Sequence, residues 1–317
     1  MSTVFITGAT GFIGRVLCVK MLEKGWRVKG AFRKESAISS LPAGVEGVYL
    51  GFIENNVFSE SCFAGVDTVI HLAARVHIMG DPAADSLDAF RKINVLGTER
   101  LARMAAKGGV KRFIFISSVK ANGEGSSRPY TEKDMPQPQD AYGISKIEAE
   151  RVLDSVVVET GLQVVILRTP LVYGPGVKAN LKNLIKIISS GLPLPFKGIN
   201  NRRSLIYLEN LVDVIIACST HPLAAGETFM VSDDQDISTP DLIKMISYAM
   251  DKKPILFYLP KGILKALCRI VGKGEEIEKL TGSLFVDSSK IKILLSWKPL
   301  FTMEEGIKKT VKDYKSR

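Results

Sequence analysis

The stretch Thr3-Val4-Phe5-Ile6-Thr7, followed by Gly8-Ala9-Thr10-Gly11-Phe12-Ile13-Gly14, constrains this chain more than any other. Five apolar and β-branched residues in a row read as a buried strand, and glycine stops it. Ile13, Leu17 and Met21 then recur every fourth residue, as one face of a helix does. Strand, glycine turn and helix form the context that a dinucleotide fingerprint requires. The glycines allow a tight turn and close backbone approach, and the helix N-terminus faces the pyrophosphate. The spacing is G-x-x-G-x-x-G, not G-x-G-x-x-G. Gly8, Thr10, Gly11, Phe12, Ile13 and Gly14 are the expected cofactor turn; the alternative is a turn with a structural role only.

A second strand, Arg27 to Phe32, ends at Arg33-Lys34. No Asp or Glu lies between Arg27 and Lys34, where NAD-preferring folds place the acid that binds the ribose hydroxyls. An Arg there suits a 2′-phosphate. Arg33 therefore favours NADP, with NAD as the alternative; a solvated basic pair is the competing reading. Strand-like runs follow at 47–50, 68–72, 113–116 and 164–167, with helical stretches between most of them, including Ala89–Ala106 and Ser145–Glu159. This alternation predicts an α/β fold, a Rossmann-type doubly wound parallel sheet whose ligands sit beyond the carboxyl ends of the strands. That edge gathers Thr7-Gly8, Arg33, His71–Arg75 and Ser117-Ser118 into one crevice. After Arg168-Thr169-Pro170 the pattern changes to Pro- and Gly-punctuated, shorter elements. Residues 1–170 are expected as the nucleotide-binding domain. Residues 171–317 form a smaller substrate domain, some of whose strands or helices return to the first.

The chemistry falls between Ser117-Ser118 and Tyr142-Gly143-Ile144-Ser145-Lys146. Tyr142 and Lys146, four apart, share one face of a helix. A Tyr keeps its proton until about pH 10, and a cation one turn away favours the phenolate. A Tyr tuned this way exchanges the proton of a carbinol while hydride moves at the same carbon. A Ser from the preceding strand end would hold the same oxygen. Alone, Tyr-x-x-x-Lys is ordinary helix surface; the strand before it and the Pro/Gly-rich loop between them give it weight.

Hydrophobic residues make up 46% of 317 and mean hydropathy is +0.13, as in a globular chain. Four scattered Cys show no metal-like pairing, and the chain enters its first strand without a charged-then-apolar leader. A reduced, cytoplasmic setting is expected. His71 and His77 invite a metal, but no third ligand lies near in sequence. His71 reads as a packed core residue, and no metal is expected. The net charge of +10 suggests an anionic partner. Without basic stretches interleaved with aromatics, that partner is not a nucleic acid. From Ile255 to Val271 an apolar run carries Lys261, Lys265 and Arg269 on one helical face. It reads either as a peripheral membrane contact through 255–271 or as a helix packed on the substrate domain.

The order Gly8-x-x-Gly11-x-x-Gly14, His71-Leu72-Ala73-Ala74, Asn94-Val95-x-Gly97-Thr98, Ser117-Ser118, Tyr142-x-x-x-Lys146 and Tyr173-Gly174-Pro175 resembles the extended short-chain dehydrogenases/reductases. Within these the chain is similar to the NAD(P)-dependent nucleotide-sugar epimerase/dehydratase family. The resemblance implies that Tyr142 is the catalytic acid/base, Lys146 its partner and a grip on the nicotinamide ribose, and Ser118 the catalytic hydroxyl. It implies that Leu72, Ala73 and Ala74 line the cofactor, that Asn180 and Arg203 contact a UDP-sugar substrate, and that the enzyme is a homodimer. The 4,6-dehydratases carry Thr-Asp-Glu where this chain has Ser118-Val119-Lys120, so dehydration is not expected. The galactose-type epimerases carry an Asn at Leu171 and an acid near Phe32-Arg33. The wording around His71 and Ser117 is similar to the branch of UDP-N-acetylquinovosamine 4-ketoreductases and N-acetylhexosamine 4-epimerases, which feed surface-polysaccharide synthesis. The expected reaction is hydride transfer at C4 of a UDP-linked (N-acetyl)hexose, favoured as 4-ketoreduction. A UDP-sugar 4-epimerase is the alternative, and an NADPH reductase of an apolar ketone the second.

Overall fold

The computed structural model describes residues 1–54, 58–76, 86–270 and 274–317. The chain opens with β1 (Thr3–Thr7), α1 (Phe12–Glu23), β2 (Arg27–Phe32), β3 (Glu46–Tyr49) and β4 (Thr68–His71). Next come α2 (Leu87–Phe90), α3 (Gly97–Lys107), β5 (Arg112–Ser118), α4 (Ala141–Thr160), β6 (Gln163–Thr169), β7 (Leu171–Tyr173) and α5 (Ala179–Ser189). The remainder forms β8 (Arg203–Tyr207), α6 (Leu208–Thr220), β9 (Thr228–Met230), β10 (Asp236–Ile237), α7 (Thr239–Ala249), α8 (Lys261–Ile270), α9 (Gly274–Thr281), α10 (Ser289–Leu295) and α11 (Met303–Lys315).

Seven strands make one parallel sheet in the order β3-β2-β1-β4-β5-β6-β9, the doubly wound arrangement expected. Alternate side chains of a strand point to opposite faces, and the two cores divide on that period. Val4, Ile6, Ile114, Ile116, Val165 and Leu167 face α1 and α6. Phe5, Phe113, Phe115, Val164 and Ile166 face α3 and α4. β9 and α6 thus come from beyond residue 171 and complete the first sheet and its first core. β10, β8 and β7 form a small second sheet over a third core that includes Ile185, Leu205, Ile246 and Ile307.

Three boundaries differ from the expected ones. β5 continues to Ser118, so both serines belong to the strand. The expected helix 89–106 is interrupted by a π turn over Arg91–Leu96. There the Asn94 carboxamide is drawn to Arg75 and to Ser145. Residues 255–257 are not helical. They run beside 194–197, with Leu194 N donating to Ile255 O and Phe257 N to Leu194 O. α8 begins only after Pro260, because proline disfavours helical conformation in the residue before it. Within α8, Leu264 is buried and Lys265 reaches Glu278 of α9 at 3.4 Å. The Arg269 side chain and Val271 lie outside the described residues. Among the described residues no helix is long and apolar enough to cross a membrane.

Candidate active site

The glycine turn is built to admit something close. Gly8 sits at φ +69, a left-handed conformation that glycine adopts without strain. A Cβ on Gly14 would stand 2.1 Å from the Gly8 carbonyl oxygen, so the first turn of α1 packs directly on the strand end. Gly11 occupies the N-cap of α1 and supplies no side-chain acceptor to its first N–H groups. Such groups carry partial positive charge and suit an anion. Thr10, Phe12 and Ile13 are half-buried around this turn. The residues therefore fit the pyrophosphate of a dinucleotide.

Beside the turn lies a cavity of about 270 Å³, lined by Gly8, Phe32, Arg33, Ala73, Ala74 and Arg75 among others. Arg33 is exposed on its wall, its guanidinium carbon 5.2 Å from the centroid of the Phe52 ring. Leu72 and Ala73 back directly onto Gly8, and the Ala73 N–H donates to Thr7 Oγ1 at 3.2 Å. His71 fixes the floor: Nδ1 is 2.7 Å from Thr7 Oγ1 and Nε2 is 2.9 Å from Thr98 Oγ1. Burial and the nearby Lys146 push the imidazole down to about 3, so it is neutral, a packed core residue as expected. His77 lies outside the described residues. Among the described residues no three His, Cys, Asp or Glu side chains gather as metal ligands do.

The catalytic group assembles where β5 meets α4. Asp140 caps α4, its Oδ1 accepting from Gly143 N at 2.7 Å, and so places Tyr142 in the first turn. The two serines separate cleanly. Ser117 Oγ turns to Glu150 Oε1 at 2.5 Å, whereas Ser118 Oγ accepts from Lys120 N at 3.2 Å and lies where its side chain favours the ionised Tyr142 phenol. Lys146 is buried; its Nζ donates to Ile116 O at 2.7 Å and lies 5.8 Å from the centroid of the Tyr142 ring. Burial lowers the lysine to about 7, while Glu150 favours its charged form. The expected lowering of the Tyr142 phenol is not produced by the polypeptide alone. Burial and then the Asp140 carboxylate push it up to about 12, against the opposing hydrogen bond from Ser118. A lysine that titrates near neutrality is only partly charged there, which weakens its pull on the phenol.

Sequence reasoning missed two supporting groups. Glu150 forms a buried ion pair with Arg168, Oε2 to Nη2 2.6 Å, and Arg168 Nη1 donates to Asn122 Oδ1 at 3.0 Å. Tyr142, Lys146 and Glu150 share one four-residue spacing, which could have revealed the third member. Lys120 Nζ bridges Asp140 Oδ2 at 2.5 Å and Glu124 Oε1 at 2.9 Å, two residues beyond Ser118. Asn180 is exposed in the first turn of α5. Arg203, half-buried, donates Nη1 to the carbonyls of Lys279 at 2.6 Å and Gly282 at 3.3 Å, at the end of α9. Asn180 stands on α5 and Arg203 at the start of β8, and the Glu124 carboxylate, just beyond β5, is near enough to favour the charged form of Arg203.

The profile of the NAD dependent epimerase/dehydratase family matches residues 4–232. The UDP-glucose 4-epimerase of Vibrio cholerae is 39% identical, over 98% of this chain and 95% of that protein. Among solved structures, a UDP-glucose 4-epimerase from Thermotoga maritima with UDP-glucose superposes at TM-score 0.79 with 25% identity, covering 99% of both chains. MoeE5 in complex with UDP-glucose and NAD superposes at 0.79 with 22% identity, also over 99% of both chains, and shares the fold.

Proposed function

The chain belongs to the NAD dependent epimerase/dehydratase family, and we propose that it moves a hydride at C4 of a UDP-linked hexose. The observation that carries this reading is Tyr142 in the first turn of α4, its ring centroid 5.8 Å from the buried Lys146 Nζ, with Ser118 at the end of β5 acting on its phenol. With the C4 oxygen between the two hydroxyls, Tyr142 exchanges the proton of that oxygen while Ser118 holds it in place. Lys146, anchored on the Ile116 carbonyl with its Nζ 5.8 Å from the ring centroid, adds positive charge beside the phenol in its protonated fraction, which Glu150 favours. A bound dinucleotide would supply the hydride acceptor and, when oxidised, a positive charge that favours the phenolate. The glycine turn, Leu72, Ala73, Ala74 and Arg33 would hold it; Asn180 and Arg203 would meet the UDP moiety. Val119 and Lys120 supply no carboxylic acid for an elimination, and the nearby Glu124 and Asp140 are ion-paired to Lys120.

Epimerisation at C4 is the reading we adopt for the reaction, supported by the near full-length likeness to the Vibrio cholerae enzyme. It requires one cofactor molecule to take hydride from one face of the sugar and return it to the other. Ketoreduction of a UDP-linked 4-keto sugar is the second reading. Arg33 on the cavity wall, suited to NADP(H), and Leu171 in place of an Asn favour it. The test is to incubate the protein with UDP-glucose and UDP-N-acetylglucosamine without added dinucleotide, and separately with the 4-keto sugar and NADPH. Galacto products in the first tubes support epimerisation. Their absence, with one NADPH consumed per sugar in the second, assigns a reductase.

A further inference from the structure

The positive charge of the chain is concentrated by the fold. Residues 160–208 contain seven Lys and Arg and no Asp or Glu; residues 252–274 contain six and none. These thirteen account for the whole excess, because the rest of the chain holds 30 of the 43 basic residues against all 33 acidic ones. The two acid-free stretches meet in the structure. Leu194 N donates to Ile255 O at 2.9 Å, Phe257 N to Leu194 O at 3.0 Å, and Lys197 N to Phe257 O at 3.1 Å. Lys252 Nζ also donates to Ser189 O, which ties the end of α5 to the same edge.

What this edge presents outward is unusual for a water-facing surface. Leu256 turns inward to the third core, while Ile255 and Phe257 on either side point out. A strand with one wet face normally places polar residues there. Leu192, Ile255, Phe257, Tyr258 and Ile263 are 44–66% exposed, and Lys197, Lys253 and Lys261 are exposed among them in sequence. Some of the thirteen cations are used internally, Arg168 on Glu150 and Arg203 on the α9 carbonyls. Among the described residues Lys197, Lys253 and Lys261 make no such pair. A second copy of the chain would oppose cation to cation across a self-complementary contact. A nucleotide diphosphate accounts for charge but not for five exposed apolar side chains. Anionic headgroups over an apolar interior account for both.

We propose that this face, the 192–197 and 252–258 edge with the first turn of α8, seats the protein peripherally on an anionic bilayer. The apolar side chains enter the headgroup region and the lysines meet its charge. The inference is independent of which C4 reaction the enzyme performs. It places catalysis at a membrane surface, where a sugar carried on a lipid diphosphate becomes an accessible substrate class.

The test is co-sedimentation of the full chain with phosphatidylcholine vesicles, with and without phosphatidylglycerol, at low and high salt. Binding is expected only with the anionic lipid and should fall steeply with salt. Each lysine at the surface contributes roughly fivefold in partitioning, so Lys197→Glu with Lys253→Glu and Lys261→Glu should lower it more than about a hundredfold. Ile255→Ser with Phe257→Ser should weaken binding at both salt concentrations. Retained epimerase or reductase turnover shows that the variants are folded. No binding to anionic vesicles at low salt overturns the proposal, and so does binding that survives the lysine changes. Binding that saturating UDP abolishes assigns the charge to the substrate diphosphate instead and equally overturns it.

Discussion

At the scale of single residues, the site is decided by which neighbour each hydroxyl and charge faces. Tyr142→Phe should lower kcat by about 10² to 10⁴, the usual contribution of a general acid–base, with dinucleotide affinity retained. A loss of less than tenfold would remove the phenol from its role. Because Asp140 raises the Tyr142 phenol and Lys120 is bound to that carboxylate, the pair sets the pH dependence. Asp140→Asn keeps the helix cap, since Asn and Asp cap alike, and removes the negative charge. The phenolate then forms more readily, and the rising limb of kcat/KM for hydride abstraction should move to lower pH. Lys120→Met leaves Asp140 uncompensated and should move the same limb to higher pH. Shifts of the two variants in the same direction would refute the coupling. Arg33→Asp should reverse a preference for NADP(H) of roughly ten- to a hundredfold, the range of a charge-assisted contact with phosphate. Equal binding of both dinucleotides by the natural chain would remove Arg33 from cofactor choice.

At the scale of elements, β1, the glycine turn and α1 behave as one device. Gly14→Ala puts a methyl 2.1 Å from the Gly8 carbonyl oxygen, so α1 must shift. Thermal unfolding should show a loss of about 1–3 kcal/mol, as overpacking costs, together with weakened dinucleotide binding; an unchanged Tm and Kd would contradict the close approach. This device was legible because glycine spacing and strand pattern are local. So were β4, β5 and β6, whose apolar runs fill both faces of the sheet. The π turn at Arg91–Leu96 was not legible, because the stretch from Ala89 to Ala106 reads as continuous helix and Asn94 finds Ser145 only after folding. The start of α8 was readable in principle from Pro260, yet the apolar run from Ile255 outweighed it. The Glu150–Arg168 pair belongs to the same class of omission: α4 and β6 supply one partner each, and only the packed sheet brings them together.

At the scale of the whole molecule, the parallel sheet carries the ends of β1, β2, β4 and β5 to one edge, and with them the glycine turn, Arg33, the Ala73-Ala74 segment and Ser118. The sequence order of these motifs sufficed to foresee Gly8, Arg33 and Ala73–Arg75 lining one cavity. The return of elements from beyond residue 171 was expected, but not which ones: β9 joins the first sheet and α6 its first core across long intervals of chain. The central claim is that one carbon, C4 of the sugar, gives up and regains its hydride within this crevice. UDP-glucose bearing deuterium at C4 tests it most directly, with the product analysed by NMR. The account predicts interconversion of gluco and galacto forms with the deuterium kept at C4. Interconversion with deuterium lost to solvent, or no reaction at C4 of any UDP-hexose or 4-keto sugar, would contradict it.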